Sequence, residues 1–240
     1  MSYDDLFFDH IDAMALRSAG AVVEALYPRL RPSSVLDVGC GRGGWLRVWR
    51  QAGCPIVHGV DGDYVDRQRL FIEDNQFEAM DLSTPLDLGQ RFDLVQCLEV
   101  GEHLPSPASP TLIESLIRHG NIVLFSAATP GQGGTHHINE RPLEFWRKLF
   151  RDRGYHAYDM LRPLISGNTA IDPFYRYNTV LYASDATELS ADIAATRVPD
   201  RQPLREYAPW PWLLRRLVLR NLPVSVIDRA AAINARLRHR

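Results

Sequence analysis

Lysine is almost missing from this chain of 240 residues: Lys148 is the single lysine among 27 basic residues, and the rest are arginine. That bias carries no chemistry by itself. Cysteine is sparse as well. Cys40, Cys54 and Cys97 are odd in number and form no Cys-x-x-Cys pair, which speaks against a disulfide framework or a thiolate zinc site and for a reducing compartment. No apolar run approaches the roughly 18 residues that a membrane-spanning helix needs. The N-terminal stretch lacks a basic segment followed by an apolar one, so a cytoplasmic protein is expected. A charge excess of one sign is missing too. With a formal charge of −2, 23% charged and 45% hydrophobic residues, the chain is neither disordered nor broadly basic, and no nucleic-acid partner is expected.

What is present divides into four parts, 1–32, 33–183, 184–209 and 210–240. In the first, Leu6, Phe7, His10, Ile11, Met14 and Ala15, then Val22, Val23 and Leu26 ahead of Pro28, recur at helical spacing. A helical cap of one or two amphipathic helices is expected. From Ser33 short β-branched runs alternate with longer mixed segments, which predicts strands at 34–38, 56–60, 77–80, 92–98, 121–125, 155–161 and 175–183, with a helix at 142–153. The fold class expected is α/β: a Rossmann-like, mostly parallel seven-stranded sheet with helices on both faces and helical extensions at each end. The last connection is too short for a crossover helix, so the last strand should run antiparallel. Residues 184–209 are polar and proline-punctuated, and read as a linker.

The run Val35-Leu36-Asp37-Val38-Gly39-Cys40-Gly41-Arg42-Gly43-Gly44 leads a buried strand into a glycine turn and a helix near Trp45. Glycines allow the tight turn and a close backbone approach to a ligand. Asp37 lies two residues before the first glycine, Asp61 lies 20 residues after Gly41 at the end of the next strand, and Asp81 follows the third strand. An acid at the Asp61 spacing commonly meets ribose hydroxyls. An acid on the loop itself is unfavourable beside a pyrophosphate and sensible beside a ligand carrying an ammonium and a sulfonium.

These residues resemble the D-x-G-x-G-x-G motif of the class I S-adenosylmethionine-dependent methyltransferases, over roughly 33–183. The resemblance implies S-adenosyl-L-methionine as cofactor. It places Gly39, Gly41 and the backbone near Cys40 beside the methionine part, Asp61 on the ribose, and Met80 with Asp81 around the adenine. Asp37, Leu82 and Leu98 complete the implied cofactor set, with Cys40 as a packing residue rather than a nucleophile.

After the fourth strand comes Glu99-Val100-Gly101-Glu102-His103, and after the fifth a glycine-rich loop from Ser126 to Glu140 that carries His136 and His137. Open α/β sheets bind ligands at the carboxyl ends of their strands, where both segments belong. The Glu-x-x-Glu-His pattern with a later histidine is similar to the metal site of the ubiquinone-pathway O-methyltransferases and the small-RNA 2′-O-methyltransferases. That likeness implies Glu99, Glu102, His103 and His137 as ligands of a divalent ion (magnesium, manganese or zinc). His137 is preferred to His136 because of the run that follows it. A general base drawn from His103, His136 and His137, with no metal, is an equal alternative.

The expected activity is O-methylation of a hydroxyl on a small-molecule or glycosyl acceptor. The rivals are N-methylation with a histidine base and a non-catalytic binding or membrane-docking module. Residues 210–240 hold seven arginines against one acid, a net of about +6. With Trp210, Trp212 and apolar residues at helical spacing, including Val226, Ala230, Ile233 and Leu237, they suit an amphipathic helix on an anionic membrane, at the inner membrane face. They suit equally a helical pair packed on the domain or on a second subunit. Oligomeric state is left open.

Overall fold

The computed structural model describes the backbone of residues 3–222 and the side chains of 15–222. One seven-stranded sheet organises the chain: β1 (Ser34–Val38), β2 (Ile56–Asp61), β3 (Phe77–Ala79), β4 (Leu94–Leu98), β5 (Ile122–Ser126), β6 (Tyr155–Tyr158) and β7 (Val180–Ser184), in the order β3-β2-β1-β4-β5-β7-β6. β1 to β5 pair in parallel, and β7 is antiparallel to both β5 and β6. β1, β2, β4 and β5 are largely apolar because parallel strands inside the sheet are covered on both faces. The chain steps outward from β1 to β3 and then returns to β4. The strand order therefore reverses between β1 and β4, which opens a crevice at their carboxyl ends.

One face of the sheet is covered by α1 (Tyr3–Leu30) and α2 (Gly44–Ala52), which bury Val22, Leu26, Leu46 and Trp49 on Val35 and Leu94. The other is covered by α3 (Ser109–His119) and α4 (Leu143–Arg151), with Leu112, Leu116, Trp146 and Phe150 against Leu36, Val95 and Phe125. α1 is one helix, carrying Pro28 in its last turn. From Ala19 on it packs into the core. The side chains of Leu6, Phe7, His10, Ile11 and Met14 lie outside the described residues.

Two expectations need correction. Residues 175–179 do not extend the last strand: α5 (Arg162–Ile165) is followed by α6 (Pro173–Asn178), and β7 starts only at Val180. Pro173 has a φ suited to a first helical turn, and Tyr175 is spent on an edge contact with Trp45 at 5.1 Å. Nor is 184–209 a free linker. It forms α7 (Ala191–Ala194), buries Ile193, and lies along the outer edge of β6, where the Val198 amide donates to the Ala157 carbonyl at 2.9 Å. An edge strand left open would expose unpaired backbone groups. Buried Arg147 fastens the cover, donating to the carbonyls of Val198, Pro199 and Gln202.

Residues 210–240 begin with α8 (Trp210–Leu219). Two of its arginines bond back onto the domain, Arg215 from an exposed position and Arg216 from a half-buried one. Arg215 donates to the Gln132 carbonyl at 2.8 Å, and Arg216 reaches the Pro130 carbonyl and Glu206. Trp210, Leu214, Leu217 and Val218 are exposed. Val226, Ala230, Ile233 and Leu237 lie outside the described residues. Among the described residues no helix is long and apolar enough to cross a membrane.

Candidate functional site

A cleft of about 800 Å³ opens at the carboxyl ends of β1, β2 and β4, walled by Gly39, Gly41, Asp61, Tyr64, Met80, Asp81, Leu82, Glu99, Val100 and His103 among others. This is within the usual size of a small-molecule site. Gly39 lets the walls meet. At φ +85°, a Cβ built on it would lie 2.2 Å from Cγ2 of Val100.

The glycine loop has little left for a phosphate. The amides of Gly39 and Cys40 both donate to the Val60 carbonyl, that of Gly41 to Oδ2 of Asp61 at 2.6 Å, and that of Gly43 to the Cys40 carbonyl. A pyrophosphate cradle needs free N–H donors. Here a carboxylate sits against the loop, which suits a cationic ligand. The other oxygen of Asp61 accepts the Gly62 amide at 2.7 Å and a short hydrogen bond from the Tyr64 hydroxyl. Burial, then the neighbouring Asp61 charge, push the Tyr64 phenol well up, so it stays a donor. Tyr64 carries no motif, and only its nearness to Asp61 marks it.

Met80, Asp81 and Leu82 form the opposite wall, with Asp81 braced by the amide and hydroxyl of Ser83. The side chains of Asp37 and Leu98 do not wall the cleft, and Cys40 is the packing residue expected. The Cys40 side chain packs over Gly59, where an added Cβ would sit 2.7 Å from its Sγ. Leu98 belongs to the core on the α2 face. Asp37 is 2% exposed beneath the loop. Burial, partly offset by Gln96 and reinforced by Asp61, pushes the Asp37 carboxyl up to about 7. Gln96 is itself held by the Trp49 indole at 3.0 Å.

The polar end of the cleft is built from two segments. Glu99 leaves β4 at φ +57°, its amide donating to Ser126. The turn that follows, Gly101–His103, buries Glu102 completely. The Glu102 carbonyl accepts the amides of Ile138 and Asn139, tying this turn to the histidine loop. No well-formed hydrogen bond reaches either carboxylate oxygen of Glu102, which lies against the Glu99 carboxyl and the Ala128 backbone. Burial, reinforced by the Glu99 charge, holds its pKa well above the ordinary carboxylate range.

Ligand atoms of Glu102, His103 and His137 lie within 4.8 Å of one another, and the two imidazoles meet edge to face at 4.9 Å. Nδ1 of His103 faces the His136 carbonyl at 3.3 Å, and Nδ1 of His137 faces Oε1 of Glu140 at 3.0 Å. Each Nδ1 therefore acts as donor, and each Nε2 is left to accept. Burial and the facing His137 lower the pKa of His103.

Glu99 stands outside this trio. Its Oε2 accepts a 2.6 Å bond from the Gln132 amide, and burial pushes its carboxyl up with Gln132 offsetting part of the shift. His136 contributes its carbonyl from a left-handed backbone, φ +61°, with its side chain exposed. The sequence reading missed Glu140, which also accepts the amides of Gly131 and Gly133 at 2.7 and 2.8 Å. Gln132 and Asn178, joined at 2.7 Å, were missed too. The spacing of Glu140 three residues after His137 was the one available signal.

Comparison with known proteins agrees with this architecture. The family model described as a methyltransferase domain matches residues 12–160. The ubiquinone biosynthesis O-methyltransferase of Pasteurella multocida is 26% identical over 178 residues, 67% of each chain. An O-methyltransferase family protein of Burkholderia thailandensis shares the fold at 14% identity and TM-score 0.56, over 77% of this chain and 60% of that one. CalO1, a methyltransferase of calicheamicin biosynthesis solved with S-adenosylhomocysteine bound, shares it at 13% identity and TM-score 0.54, over 75% and 57%. The chain thus spans about 60% of the length of these solved structures. A glycine loop with the Asp61 carboxylate against it, an acid at the end of the second strand and a methyltransferase match over most of the sheet lead to one assignment: the chain belongs to the class I S-adenosylmethionine-dependent methyltransferases.

Proposed function

We propose that the chain transfers the methyl group to a hydroxyl oxygen of a small-molecule or glycosyl acceptor, the proton being removed at the Glu102–His103–His137 end of the cleft. Glu102 supports this reading. A fully buried carboxylate with no well-formed hydrogen bond, facing a second carboxyl, is costly unless a proton or a cation joins it. One carboxylate and two imidazoles, with Oε1 of Glu99 also unbonded nearby, fit a divalent ion such as magnesium, manganese or zinc. When bound, such an ion would lower the pKa of a coordinated hydroxyl.

The chain's own residues orient and exclude. Glu140 and the His136 carbonyl fix both rings through Nδ1, while Val100, Leu104 and Leu82 present apolar surface in the cleft. In-line displacement needs the acceptor oxygen about 3 Å from the methyl carbon and aligned with the breaking bond to sulfur. An acceptor with vicinal oxygens, a sugar or a catechol, suits the two-sided array of donors. The relative from Pasteurella multocida, an O-methyltransferase by name, favours oxygen over nitrogen.

A metal-free reading rests on His103 alone, which lines the cleft and, with its lowered pKa, is neutral and able to accept a proton at neutral pH. Metal analysis with chelation separates the two. Loss of turnover on chelation, restored by one divalent ion and absent in Glu102→Gln, supports the metal site. Full turnover in metal-free protein rejects it in favour of His103.

A further inference from the structure

The cleft's polar end depends on an element that follows the completed sheet. The 129–140 loop is gripped from two sides. On its inner side the Glu140 carboxylate takes the amides of Gly131 and Gly133. On its outer side lies α8. Gly131 is buried with φ +81°, and an added Cβ would lie 2.1 Å from the Arg216 carbonyl oxygen, so the two backbones touch without an intervening side chain. Arg215 Nη1 donates to the Gln132 carbonyl at 2.8 Å, Arg216 Nε to the Pro130 carbonyl at 3.4 Å, and Arg216 Nη1 to Glu206 at 3.2 Å. Trp212 leans on Tyr177 with ring centroids 6.1 Å apart, next to Asn178.

Between the two grips Gln132, 4% exposed, turns its side chain inward. It donates to Oε2 of Glu99 at 2.6 Å and accepts from Asn178 at 2.7 Å. Glu99 needs such support. Its left-handed backbone, φ +57°, is strained for a non-glycine residue, and its carboxylate is withdrawn from water.

We infer that Arg215 and Arg216 of α8 are positioning residues: they clamp the Pro130–Gln132 backbone so that the Gln132 amide holds the Glu99 carboxylate at the cleft. α8, which lies outside the matched residues 12–160, thus belongs to the site rather than to a separate tail. The inference deepens the proposed reaction and rests on it only for its turnover arm.

The test uses the full chain with Arg215→Ala and Arg216→Ala combined. Hydrogen exchange across 129–140 should quicken, while S-adenosylhomocysteine affinity measured by calorimetry stays at the wild-type value, because neither arginine lines the cleft. With caffeate, a soluble catechol, as acceptor, kcat should fall about tenfold or more at unchanged KM for S-adenosylmethionine, the size of effect that small misplacements produce. Gln132→Ala should lose as much by itself, and adding the arginine changes should then cost nothing further, since both act through one contact. Arg215→Lys, which keeps a donor, should restore part of the loss. Unchanged exchange in the loop, quicker exchange with wild-type kcat, or losses that multiply would each overturn the clamp. The exchange arm needs no acceptor, so a wild type inactive on caffeate refutes the catechol reading while the clamp is still decided.

Discussion

Replacing Asp61 by asparagine probes the cofactor assignment with little change of shape. Three donors aim at its carboxylate: the amides of Gly41 and Gly62 and the Tyr64 hydroxyl. An asparagine keeps one oxygen and turns an NH₂ group toward at least one of these donors. Leaving a buried N–H unpaired costs about 1–3 kcal/mol, which at roughly 2–4 °C per kcal/mol for a chain of this size lowers Tm by several degrees without unfolding it. Lost charge-assisted bonds to the ribose hydroxyls cost about 1–3 kcal/mol more in the complex, or an affinity about five- to 150-fold weaker. Calorimetry with S-adenosylhomocysteine reads the second quantity, and thermal denaturation without ligand reads the first. Tyr64→Phe is the control. It removes the phenol that occupies Oδ1 of Asp61 and leaves the carboxylate in place, so affinity should rise. An Asp61→Asn protein that is folded by circular dichroism and binds S-adenosylhomocysteine as the wild type does would refute the ribose assignment.

Three further outcomes are expected. Gly39→Ala forces a Cβ to within 2.2 Å of Val100 at φ +85°, so it should close the cleft wall and weaken S-adenosylhomocysteine binding at least as much as Asp61→Asn; wild-type affinity in the calorimeter would contradict this. Asp37 titrates near 7 when folded, against about 3.8 unfolded, so the folded chain holds the extra proton and stability falls as pH rises from about 4 to 7, by at most roughly 4 kcal/mol. The Tm of Asp37→Asn should therefore exceed that of the wild type most at pH 8, with the gap closing as the pH drops toward 4; a gap independent of pH would show that Asp37 is ionised throughout. Glu140→Gln keeps the shape but weakens three bonds, to Gly131, Gly133 and His137, and, if His137 holds the proposed ion, should cut kcat by about ten- to a hundredfold, as changes behind a ligand histidine do. Equal kcat in the variant would remove Glu140 from the machinery.

The sequence by itself determined the parallel half of the fold and the cofactor end of the site. Buried parallel strands must be apolar along their length, so β1, β2, β4 and β5 stood out. The glycine run with Asp61 at the next strand's end is a local pattern whose chemistry depends on spacing alone. Tertiary structure decided the rest, because it was settled by contacts between distant segments. Whether 173–179 became strand or helix turned on Tyr175 packing against Trp45 across the core. Whether 184–209 hung free turned on the bare edge of β6 and the reach of Arg147. The histidine loop was visible as a motif, yet which ring entered the site depended on the left-handed backbone at His136 and on Glu140 behind His137. Arginines on a short amphipathic helix read as a face for solvent or lipid. Only the fold brought Arg215 and Arg216 to the bare carbonyls of Pro130 and Gln132, more than 80 residues away in sequence, where backbone acceptors that had no partner in any strand or helix were waiting to be bonded.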